Sequence, residues 1–102
     1  MILVFHNPKT NFFSAVAEQV EELKANDLVA EVNTNDLETA YMLTNHIDED
    51  WYTHPDVKCI RQSRSTSVGD FMVKDGRWWV VDGIGFKRVY SDKFKLSIQE
   101  LI

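Results

Sequence analysis

Between Gln62 and Phe71 the chain reads SRSTSVGD, which sets Arg61 and Arg64 among the hydroxyls of Ser63, Ser65, Thr66 and Ser67. Two guanidinium groups beside hydroxyls and a glycine could hold a phosphate. A phosphate loop, however, is glycine-rich and opens onto a helix N-terminus, with a lysine in its P-loop version. Here the glycine, Gly69, stands before an apolar run of strand character, Phe71 to Val73. Glycine permits a tight bend at the foot of a strand, and hydroxyl residues stabilise such bends by bonding nearby backbone. The stretch is read as a structural ramp into a β-hairpin. On that reading, exchanging Arg61 and Arg64 together for alanine leaves stability nearly unchanged.

A second constellation, His46, Asp48, Glu49, Asp50 and His54, invites a metal. It has neither the cysteine and histidine separations of a structural zinc site nor the alternating acids and central glycine of a calcium loop. No metal and no cofactor is expected. Nucleophilic catalysis has no better support: no serine sits in a nucleophile elbow, and the single cysteine, Cys59, has no local partner histidine. Cys59 reads as a small buried hydrophobe in a reducing compartment. No catalytic residue is assigned, and an enzyme would need groups that converge from distant positions.

The elements that must carry these residues are those of one domain spanning residues 1–102, a common domain length. Ile2 to His6 reads as a strand and Phe12 to Ala25 as an amphipathic helix, with Phe13, Val16, Ala17, Val20 and Leu23 on its buried face. Leu28 to Val32 suits a second strand. A second helix follows, with Asn35 as its N-cap, Glu38 completing a capping box, and an end near His46 to Asp48. Asp48 to Asp56 reads as an acidic loop pinned by Trp51 and Tyr52, and Val57 to Gln62 as a third strand.

The clearest local signal is FMVKDGRWWVVDGIGF. Asp75-Gly76 between apolar runs predicts a hairpin with a type I′ turn, in which both turn residues take positive φ. That turn sets Val73 opposite Trp78, Phe71 opposite Val80 and Met72 opposite Trp79. Gly83-Ile84-Gly85 predicts another turn into Phe86 to Tyr90, and Ser91 to Ile102 fits either a strand or a short helix. The expected fold class is α+β: two helices packed on a mainly antiparallel sheet with a C-terminal β-hairpin. If no helix covers Met72, Trp79 and Val81, a homodimer through that face is expected.

Net charge is −5, which argues against general binding to nucleic acid or anionic membranes. The charge is divided: residues 1–58 carry 11 acids and 3 bases, residues 59–102 carry 5 acids and 8 bases. No stretch approaches the ~20 apolar residues that cross a bilayer. The opening MILVF is short and lacks a basic flank, so no secretory signal is expected.

Thr44-Asn45-His46-Ile47-Asp48 with Trp51, then RSTSVGD, then Asp75-Gly76, Val81 and Gly85-Phe86, resembles a group of small uncharacterised proteins of tailed bacteriophages and related mobile elements. SVGD through GF is also faintly similar to YodL-like domains. The resemblance implies an origin and a setting in the host cytoplasm, and no catalytic or binding residue. The function expected is that of a non-enzymatic phage accessory protein binding a host macromolecule, foremost a protein. Asp48, Glu49 and Asp50 read first as a solubilising surface. In the sharper reading they steer binding to a basic surface of the host protein, with Trp51 and Tyr52 as anchors and Trp79 as a further contact on the ribbon. The alternative is a nucleic-acid-binding accessory using Arg61, Arg64, Lys74, Arg77, Lys87 and Arg88; a small-ligand binder or enzyme is the third.

Overall fold

The structure, a computed structural model, describes residues 1–8, 15–45 and 50–92. Its centre is a six-stranded sheet in the order β3-β2-β1-β4-β5-β6 with every neighbouring pair antiparallel. The strands are β1 (Ile2–Phe5), β2 (Leu28–Val32), β3 (Val57–Cys59), β4 (Phe71–Lys74), β5 (Arg77–Asp82) and β6 (Gly85–Val89). Two helices, α1 (Val16–Glu22) and α2 (Leu37–Thr44), complete the α+β fold. No helix among the described residues is long and apolar enough to cross a membrane.

The uncharged run ILVF forms a central strand, and all four of its residues are buried. Successive strand residues point to opposite faces, so a strand covered on both sides cannot alternate with polar residues. Leu3 and Phe5 join Val20 and Leu23 of the α1 segment, with Phe71, Val73 and Trp78. Ile2 and Val4 join Ala40 of α2, with Val32, Trp51, Met72 and Val81. The helices therefore cover opposite faces of the sheet.

The hairpin register is as the turn chemistry requires. Val73 pairs with Trp78, Met72 with Trp79 and Phe71 with Val80, while Asp75 and Gly76 have φ of 53° and 72°. Trp78 is 1% exposed against Phe5 and Phe71. On the other face, Met72 and Val81 lie under α2 and its flanking residues, while Trp79, the third residue of the face expected to pair in a homodimer, stays half-buried. The expected Asn35 cap is also corrected. Asp36 caps α2 by accepting from the Thr39 amide, and Asn35 instead takes the Met1 amino group at 2.7 Å. The last helical residue of α2 is Thr44, followed by Asn45. The terminal stretch left open between strand and helix lies, from residue 93 onward, outside the described residues.

Gly69 does bend the chain into β4. Its φ is +96°, and its amide donates to the Val81 carbonyl at 2.9 Å. A β-branched residue is strained there, so Gly69→Val is expected to cost about 1–3 kcal/mol in chemical denaturation. An unchanged midpoint would mean that the bend is not required.

Candidate functional site

Sequence reasoning read the loop from Arg61 to Asp70 as a structural ramp rather than one that grips an anion. The structure shows that it grips one, and that the anion is its own Asp70. This side chain is fully buried at the end of the loop. Its carboxylate accepts the Ser67 amide and, across 63 residues of chain, the Asn7 amide, each at 2.8 Å. The Arg64 guanidinium meets it as a fork, with both terminal nitrogens at 2.7 Å. Such a bidentate pair is strong and directional, and the carboxylate hydrogen bonds raise the Arg64 pKa further.

The same loop is tied to three other elements. His6, the residue after β1, has Nδ1 at 2.9 Å from Ser63 Oγ and Nε2 at 2.9 Å from Thr66 Oγ1. The Thr66 amide donates to the Thr44 carbonyl at the end of α2, and Asn45 donates to the Thr66 carbonyl. Trp51, in a single 3-10 turn (Trp51–Thr53), donates its indole N–H to the Ser63 carbonyl at 3.0 Å. Thr44, Asn45, Trp51, Arg64, Thr66, Gly69 and Asp70 come from three separate stretches of the chain. In space they form one polar knot or its immediate foot.

Burial drives the His6 pKa from 6.5 to about 4, with Asp70 opposing and Arg64 reinforcing the shift. A histidine buried neutral binds its proton more readily when the chain unfolds. Its contribution is complete above pH 6.5 and is lost as pH falls from 6.5 toward 4. The expected loss over that interval is up to about 3 kcal/mol. Urea titrations from pH 7 to pH 4 on the wild type and on His6→Asn measure it; equal pH dependence of the two would contradict it.

Several residues expected to make contacts are committed elsewhere. Arg64 is spent on Asp70, and its removal with Arg61 therefore cannot be neutral. Trp51 is 2% exposed and cannot anchor a partner. Tyr52 is half-buried beside it, with ring centroids 5.5 Å apart. Trp79 is half-buried with the Arg88 guanidinium 5.8 Å from its ring centre. Asp50 is exposed; Asp48 and Glu49, like His46, lie outside the described residues. The His54 ring accepts the Asp56 amide at 3.1 Å.

The basic residues do not form one patch. Arg61 and Arg64 sit beyond the Phe5 end of β1, whereas Lys74 and Arg77 flank the hairpin turn beside Ile2 at the other end. Lys87 and Arg88 are adjacent in β6 and point to opposite faces. Lys87 pairs with Asp82 at 3.2 Å, and Arg88 donates to the Trp78 carbonyl at 3.1 Å while lying over Tyr90.

Sequence reasoning missed a cleft of about 530 Å³ between α2 and the β5–β6 turn. Val81, Phe86, Leu37 and Tyr41 line it, and Val68 and Ile84 stand at its mouth, 56% and 97% exposed. Asp36, Glu38, Asp82 and Lys74 supply its charged lining. The isolated apolar residues in VGD and GIG were its only trace in the sequence. Compared with protein-family models, curated proteins and solved structures, the chain matches none.

Proposed function

We propose that this chain is an accessory protein that binds a protein of its host, with the cleft between α2 and the β5–β6 turn as its contact surface. The observation that carries this reading is the exposure of Ile84 and Val68 at the mouth of a cleft whose inner lining is aromatic and aliphatic. Protein interfaces combine such an apolar centre with a charged rim. On the rim, Lys74 lies near enough to Asp36 to lower its pKa, behind the larger effect of the Thr39 hydrogen bonds. Lys87 pairs with Asp82. Glu38, which has no ion pair among the described residues, and the chain's net charge of −5 favour a basic partner. The resemblance to phage proteins supports a host target and a cytoplasmic setting. The scattered basic residues favour no nucleic-acid reading.

Affinity capture from host lysate tests this, with and without nuclease. The expected result is a protein retained under both conditions by the wild type and lost with Ile84→Asp and Val68→Asp. Retention of nucleic acid alone, or full retention by both cleft variants, would overturn the proposal.

A further inference from the structure

Beside the polar knot is a second cavity, of about 290 Å³, whose lining includes His6, Asn26, Arg61 and Ser63. Ser63 is the loop hydroxyl that both lines this cavity and touches the imidazole, 2.9 Å from Nδ1. The far side of the ring is fixed by the fully buried Thr66 hydroxyl, 2.9 Å from Nε2. The Asp70 carboxylate lies 4.0 Å from the same nitrogen. The Asp70 charge on that side is shared with the Arg64 fork, and the ring proton is assigned to Nε2, where the Thr66 oxygen accepts it. Nδ1 then offers its lone pair, and the Ser63 hydroxyl is the donor in the shared bond. Serine, base and orienting group are thus in the relation that activates a nucleophile.

We propose that Ser63 is a reactive serine with His6 as its general base, directed at a small ester or comparable acyl or phosphoryl electrophile that fits this cavity. This goes beyond the binding reading and does not rest on it. With an ester, Ser63 Oγ attacks the carbonyl carbon while its proton passes to His6 Nδ1. The acyl C–O bond then breaks, and the alcohol leaves with the proton from the imidazolium. Water, deprotonated by the same nitrogen, cleaves the acyl-serine, releases the acid and returns the proton to Ser63. The Trp51 indole, bonded to the Ser63 carbonyl at 3.0 Å, positions the serine. Arg61 brings a guanidinium to the cavity wall for the oxyanion. The low basicity of His6 keeps the ring neutral through neutral pH and makes the reaction slow.

The test exposes the full chain to a small fluorophosphonate, which transfers phosphorus to Oγ with loss of fluoride. The same sample gives the His6 tautomer from its ring nitrogen shifts by NMR. The expected result is an adduct mapped to Ser63, formed at least tenfold faster than in the heat-unfolded chain. It should be absent from Ser63→Ala, which still melts cooperatively and so remains folded, and the ring proton should reside on Nε2. No adduct at Ser63, labelling no faster than in the unfolded chain, or a proton on Nδ1 would each overturn it.

Discussion

Arg64→Ala is expected to destabilise the protein by about 3 kcal/mol, while Arg61→Ala stays within about 0.5 kcal/mol of wild type. The difference follows from what each guanidinium faces. Arg61 is exposed, and among the described residues its guanidinium donates to Asn26 at 3.2 Å. Arg64 meets a carboxylate with 1% side-chain exposure. Losing Arg64, whose side chain is itself 38% exposed, strands that buried carboxylate, and breaking a fully buried pair typically costs about 3–5 kcal/mol. The low end applies because the Ser67 and Asn7 amides still serve Asp70. Asp70→Asn should cost a similar amount, and the double variant much less than the sum, because both remove one interaction. Guanidinium denaturation of the wild type and the four variants decides this. Additive losses, or a neutral Arg64→Ala, would return the loop to an open ramp with a free arginine.

Trp51→Ala is expected to cost about 3–5 kcal/mol, a large share of the stability of an ordinary domain. The indole fills the α2 face of the core and holds the Ser63 carbonyl, so its loss opens a cavity and leaves a hydrogen-bond acceptor unmet. Trp51→Phe keeps much of the volume and loses only the indole donor, so it should fall well short of the alanine value. If Trp51→Ala instead melts like wild type and only releases a bound partner faster, Trp51 is the surface anchor that its acidic neighbours suggested.

Those two residues also mark where the sequence stopped being legible. Strand β1 and the hairpin register were readable because their causes are local. An uncharged β-branched run needs cover on both faces, and Asp75-Gly76 sets every pair that follows. Trp51 reads both as the pin of its loop, which its burial bears out, and as a partner anchor, because it sits in a polar segment where spacing cannot report burial. Asp70 was not singled out because burial, which spacing in a loop cannot report, is what makes its pairing with nearby Arg64 matter, and its other partner, Asn7, lies 63 residues away. One signal was available. His6 ends a wholly buried strand, and a buried imidazole must be satisfied, for which the hydroxyl-rich loop is an obvious source. The cleft left still less trace, since single exposed residues such as Val68 and Ile84 acquire meaning only when folding places them together.

The central claim is that the cleft binds a basic protein. It is tested most directly by the binding kinetics of the captured partner on immobilised wild type, Ile84→Asp, Glu38→Lys and Arg77→Glu. The account predicts at least about tenfold faster release from Ile84→Asp, slower and less salt-sensitive association with Glu38→Lys, and no change with Arg77→Glu. Unchanged kinetics for the two cleft variants, together with binding lost in Arg77→Glu, would contradict it.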